Sequence, residues 1–130
     1  MTIRIVRLGS DRNPREGLRV GTVRRPPRGI KKADHAAKNF YDVWFPNLAP
    51  SDALLKESIS LTNDQQWKIF KRRFLAEMKQ AAPSRDLDLL AALSHQTNFA
   101  VGCYCEDEGR CHRSILRELL DTRGAKIAGS

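Results

Sequence analysis

No stretch of this 130-residue chain runs apolar for anything near the roughly 20 residues that a helix needs to span a bilayer. The opening residues, Met1 to Arg12, alternate apolar and basic side chains and contain no apolar core of the kind a secretory leader requires. Both absences make a cytoplasmic protein without a membrane partner the expectation. Phosphate-cradling glycine loops are missing as well: neither a Walker element nor a Gly-x-Gly-x-x-Gly occurs. Nor is there a helix-turn-helix, zinc-finger or RNA-recognition signature. Repeats and low-complexity tracts are absent. Acidic residues are scarce at the start of the chain. Up to Lys32, ten basic residues stand against Asp11 and Glu16, while thirteen face thirteen afterwards, so the whole net charge of +8 sits in the first quarter. Such asymmetry suits an anionic partner, nucleic acid included, or else a solvated face with buried Arg–carboxylate pairs.

What is present fits one small globular unit, since 41% of the residues are hydrophobic and mean hydropathy is −0.50. The alternation over Thr2 to Leu8 predicts a strand, Leu18 to Val23 a second, and Phe99 to Cys105 a third. Pro26 and Pro27 cannot donate ladder hydrogen bonds, so Arg24 to Lys32 reads as a stiff loop displaying Arg24, Arg25, Arg28, Lys31 and Lys32. A short helix is predicted over Asp34 to Tyr41, then an ordered loop packed by Trp44 and Phe45. Ser51 caps a helix over Asp52 to Glu57. A capping box at Thr62-Asn63-Asp64-Gln65 opens a longer one, whose Trp67, Phe70, Phe74, Leu75 and Met78 form a core stripe. Pro83-Ser84 starts a further helix through Ser94, with Asp86 and Asp88 in its first turn. The last helix runs from about Arg110 to Thr122, and Gly124 closes it. Strands interleaved with helices predict a small single α/β domain over 1–130, its partly parallel sheet of three to four strands covered by helices. The ligand crevice of such a sheet lies beyond the carboxyl ends of its strands.

Cysteine is rare and confined. All three cysteines (Cys103, Cys105 and Cys111) fall within nine positions, between a predicted strand and a predicted helix. Under reducing conditions such clustering suggests metal, catalysis or packing before a structural disulfide. For catalysis, Cys111 at a helix amino end beside His112, Arg110 and Arg113 has surroundings that depress a thiol pKa below about 8.5. His112 acts as a base only if its ring turns back toward a thiol, because helix neighbours do not face each other. The planar fork of Arg113 suits a carboxylate or phosphate. Glu106-Asp107-Glu108 opposes both a thiolate and an anionic substrate, and Cys105 to Arg110 is too short for a phosphatase loop. For metal, Cys103, Cys105, Cys111 and His112 supply four ligands to a tetrahedral zinc, with Cys103 and Cys105 on one side of a strand. For packing, Cys103 is a small hydrophobe beneath helices. All three readings stay open, beside non-covalent ligand binding without thiol chemistry.

Arg25-Pro26-Pro27-Arg28-Gly29-Ile30-Lys31-Lys32, followed by Leu48-Ala49-Pro50-Ser51 and Leu54-Leu55-Lys56, resembles a signature of YeaO-like proteins, the family called domain of unknown function 488. Cys103, then Cys111-His112-Arg113 eight residues later, resembles that family's carboxyl-terminal signature. The resemblance implies a compact α/β fold and no established activity. Cys105 stands where many relatives carry an acid, and Pro26 where an aromatic often precedes Pro-Arg-Gly.

The expectation is one pocket at the strand ends. Arg25, Arg28 and Lys31 supply its cations, while Cys103, Cys111, His112 and Arg113 form the facing wall. It would be an enzyme or a ligand binder for a small anionic compound, phosphate-bearing ones included, with Cys111 or Cys103 as nucleophile in the enzyme reading. Zinc is the candidate cofactor, though none is required. The competing class is a nucleic-acid module using the basic first quarter, and a second copy of the chain is the default protein partner. A structural alternative buries Arg28 against Asp42 or a carboxylate near the carboxyl end.

Overall fold

The protein is described from a computed structural model, in which residues 1–59, 61–105 and 111–128 are placed. In chain order the elements are β1 (Ile3–Arg7), β2 (Leu18–Gly21), β3 (Val43–Trp44), α1 (Asp52–Ile59), α2 (Asp64–Met78), α3 (Ala81–Leu93), β4 (Phe99–Cys103) and α4 (His112–Thr122). The strands form one four-stranded sheet in the order β1-β4-β2-β3. Every pairing is parallel, so the sheet goes beyond the partly parallel one expected. No two consecutive strands of the chain are joined as a hairpin, and each parallel neighbour is reached by a crossover.

β4 arrives last and slides between β1 and β2, its Phe99 level with Ile3 on one side and Leu18 on the other. All five of its residues are buried, as a central parallel strand covered on both faces must be. Its apolar side chains pack with Phe70, Phe74 and Met78 of α2, Leu87 and Leu90 of α3, and Ile115, Leu116 and Leu120 of α4. Residues 126–128 lie parallel to β1 beside Ile3: the Ile3 N–H donates to the Lys126 carbonyl (2.9 Å) and the Ala128 N–H to that of Ile3 (2.8 Å). No helix of the described residues is long and apolar enough to cross a membrane.

Several expectations shift. The helix foreseen over Asp34 to Tyr41 is a single 3-10 turn (Lys32–Asp34) followed by irregular turns, because Asn39 adopts φ 64°, outside helical space. β3, inside the expected loop, is only two residues long and carries no readable period. The cap of α2 falls at Asn63, whose Oδ1 accepts the Gln66 N–H at 2.9 Å, while Gln66 Oε1 accepts that of Thr62. α3 begins at Ala81, since Pro83 is tolerated in a first turn where its missing N–H has no partner to lose. That moves Asp86 and Asp88 out of the first turn; Asp88 instead pairs with Arg123 at 2.9 Å.

Part of the amino-terminal charge is internal. Arg19 has no exposed surface; it donates to both Glu16 oxygens (2.7 and 2.9 Å) and to the carbonyls of Ser10 and Asn39. Arg12 grips both oxygens of Asp42, and the Arg19 backbone N–H adds a third bond. Burial pushes the Asp42 carboxyl upward, but the bonds and charges of Arg12 and Arg19 outweigh it and hold the pKa below its ordinary value. Buried pairing is therefore real, but not at Arg28: that side chain is exposed, and Asp42 is already taken.

Candidate functional site

Cys103 ends β4, and Cys111 is the residue that precedes α4; both are buried. The backbone of Cys111 is extended (φ −125°, ψ 149°), so it and His112 are not neighbours within a helix, and the imidazole does turn back to the thiol. His112 Nδ1 lies 3.8 Å from Cys111 Sγ, while Nε2 lies 2.6 Å from the Thr22 carbonyl oxygen. A carbonyl only accepts, so Nε2 carries the proton and the Nδ1 lone pair faces the sulfur. Burial is the main force on this ring. It lowers the His112 pKa to about 4, the bond to Thr22 opposing the shift and the Arg113 charge adding to it. The ring is neutral at neutral pH, with the Phe74 ring edge-on to it at 5.7 Å.

The sulfurs of Cys103 and Cys111 meet in bonding contact across the end of the sheet, with their Cα atoms 7.7 Å apart. One donor atom each from Cys103, Cys111 and His112 lies within 4.8 Å of the others, so this group could hold a metal ion. Cys105 stands outside it and is exposed. The four-ligand set expected from sequence is thus reduced to three. The reason is local: β4 stops at Cys103, and strand alternation no longer places Cys105 beside it. Arg113 is buried and donates to the Cys105 carbonyl at 2.8 Å. Glu106, Asp107, Glu108 and Arg110 lie outside the described residues.

Beyond the carboxyl ends of the strands is a cavity of about 580 Å³. Cys103, Cys105, Cys111 and His112 line one side, and Arg25 and Arg28 of the proline loop line another. Leu55 of α1, Phe70 of α2 and Tyr104 contribute apolar surface between them. Lys31 and Arg113 are not among its lining residues. Arg24 borders the cavity but donates to the carbonyls of Pro50 and Ala49 (2.9 and 3.2 Å), and Arg25 pairs with Asp52 at 3.1 Å. These bonds tie the proline loop to the Leu48-Ala49-Pro50-Ser51 segment. Arg28 is exposed and has no ion pair or hydrogen bond among the described residues. Next to it, Gly29 has φ 77°, a bend that glycine adopts without strain, and a Cβ there would meet open space.

Sequence reasoning missed Thr22, whose contribution is a backbone carbonyl and therefore has no residue-type signal. It also missed Tyr104, which sits between the two cysteines and whose hydroxyl donates to the Arg25 carbonyl at 2.9 Å.

The fold and site together define a parallel α/β protein with a sulfur–imidazole group and guanidinium groups bordering one strand-end cavity. Residues 3–124 match the family described as the active DUF488-N3 subclade, and the chain belongs to that branch of domain of unknown function 488. No curated protein and no solved structure matches it.

Proposed function

We propose that the protein is an enzyme for a small anionic compound with an apolar body, reacting at the Cys103–Cys111–His112 end of the cavity. One observation carries this reading: Arg25 and Arg28 border the same 580 Å³ space as the two buried sulfurs and the neutral imidazole. Such a volume is within the roughly 300–1,000 Å³ of ordinary small-molecule sites. Arg28, which has no internal partner among the described residues, takes the carboxylate or phosphate through its planar fork. Leu55 and Phe70 take the apolar part. In the reduced protein the Cys111 sulfur attacks an electrophilic carbon of the substrate, the bond from that carbon to its leaving group breaks with its electron pair, and the Cys111 proton passes through His112 Nδ1 to that leaving group, while the start of α4 stabilises the developing thiolate. The matched subclade is described as active, which supports a reacting centre over a packing role. Arg19 is buried, and Arg12 and Arg24 already hold a carboxylate and carbonyls of the chain, which leaves fewer cations for a phosphate backbone and favours a small ligand over nucleic acid.

The test compares two alkylating probes on reduced, chelator-treated protein. Iodoacetate should modify Cys111 faster, relative to neutral iodoacetamide, than it modifies a free thiol. Arg28→Ala should lower that preference roughly tenfold, the worth of one charge-assisted hydrogen bond. Equal preference in wild type and variant would remove the anion-binding role. A second reading is favoured by the convergence of three donor atoms within 4.8 Å: a zinc ion held by Cys103, Cys111 and His112.

A further inference from the structure

We infer that the ion site of Cys103, Cys111 and His112 is open, and that its fourth ligand is the anion that enters the cavity past Arg28. For that fourth ligand the inference rests on the function proposed above; for the three protein ligands it does not.

The geometry of the three donors carries the first half. One donor atom each from Cys103, Cys111 and His112 lies within 4.8 Å of the others. One thiol comes from the end of a strand and the other from the start of a helix, and both aim at one point. His112 is already set as a ligand: Nε2–H is fixed on the Thr22 carbonyl, the outer-shell bond that orients metal-bound histidines, and Nδ1 is left to coordinate. Its 3.8 Å separation from Cys111 Sγ is close to the roughly 3.6 Å expected between adjacent ligands of a tetrahedral zinc with bonds of about 2.3 and 2.05 Å. Two thiolates and an imidazole select zinc or another borderline metal over magnesium or calcium.

The second half comes from what surrounds the group. Cys105 is outside it, and the described residues offer no fourth protein donor to the cluster. All three ligands border the cavity, so the remaining tetrahedral position faces open volume, the arrangement of catalytic rather than structural zinc. Charge agrees. Two thiolates neutralise a divalent ion, and a singly charged fourth ligand leaves one negative charge, which Arg28, lining the same cavity, offsets. The ligand class is therefore a carboxylate, phosphonate or phosphate monoester whose apolar part lies against Leu55 and Phe70.

The experiment titrates reduced wild-type chain with cobalt(II) and follows the visible spectrum, then adds phenylphosphonate. The expected result is one cobalt per chain with tetrahedral and sulfur-to-cobalt bands, and a shift of those bands when phenylphosphonate binds. Cys105→Ser should give the same cobalt spectrum. Arg28→Ala should bind cobalt unchanged but need roughly tenfold more phenylphosphonate. No tetrahedral spectrum from reduced protein whose circular dichroism shows it folded would overturn the ion site. A spectrum indifferent to phenylphosphonate, or lost in Cys105→Ser, would show a closed site and overturn the open one. Because the iodoacetate comparison is made with chelator present, Arg28-dependent selectivity without a cobalt spectrum would sink the ion alone. Cobalt binding with neither anion felt would sink the anion reading and the open position with it.

Discussion

His112 binds its proton far less readily in the folded chain than in the unfolded one. Its folded pKa is about 4 against an ordinary 6.5, so between those values the unfolded chain takes up the proton and the native one does not. Stability from this group is complete above about pH 6.5 and is lost as pH falls toward 4, a change of about 3 kcal/mol. Urea unfolding of reduced, chelated protein at pH 7 and pH 4 should show it, and His112→Gln should flatten the slope; an equal slope in the variant would contradict the assignment. The share from Asp42, whose pKa is lowered, goes only at still more acid pH. Glu16→Gln leaves the Arg19 charge buried without its counter-ion and should cost about 3 kcal/mol by the same measurement. Charge asymmetry in the sequence raised buried Arg–carboxylate pairs as a class but proposed Arg28 with Asp42. Which cation is enclosed depends on where the carbonyls of Ser10 and Asn39 fall, and no residue pattern records that.

Elements with a regular period were legible, and short or irregular ones were not. The α2 stripe of Phe70, Phe74 and Met78 is core as its spacing predicts, and so are Ile115, Leu116 and Leu120 of α4. β3 has too few residues to show alternation. β4 ends two residues before Cys105, and that end point decides which thiols converge. Asn63→Ala should destabilise the chain by about 1 kcal/mol in chemical denaturation through loss of the α2 cap; no change would move the cap back to Thr62. Gly102 sits in β4 opposite Val6 of β1, and a Cβ there would run into the Val6 carbonyl and the Leu8 side chain. Gly102→Ala should therefore cost about 1–3 kcal/mol or more, read as a lowered midpoint. A neutral result would show that the two strands can separate at that level.

At the scale of the whole molecule, the segments that carried the family resemblance assemble around one space. Arg24 and Arg25 hold the proline loop to Ala49, Pro50 and Asp52, while His112 reaches Thr22 at the root of the same loop. The sequence showed these segments to be unusual without showing that they meet, because contacts across 26 and 90 positions depend on the strand order. Lys31 and Arg113 illustrate the limit: each lies within a signature segment, yet neither lines the cavity. The strip of residues 126–128 beside Ile3 has a different bearing. It lies where the strands begin, away from the cavity at their carboxyl ends. A circular permutant, with the termini joined by a short flexible linker and the chain reopened between α2 and α3, should keep its far-ultraviolet dichroism and a cooperative urea transition; loss of either would show that this edge of the sheet does not tolerate the join.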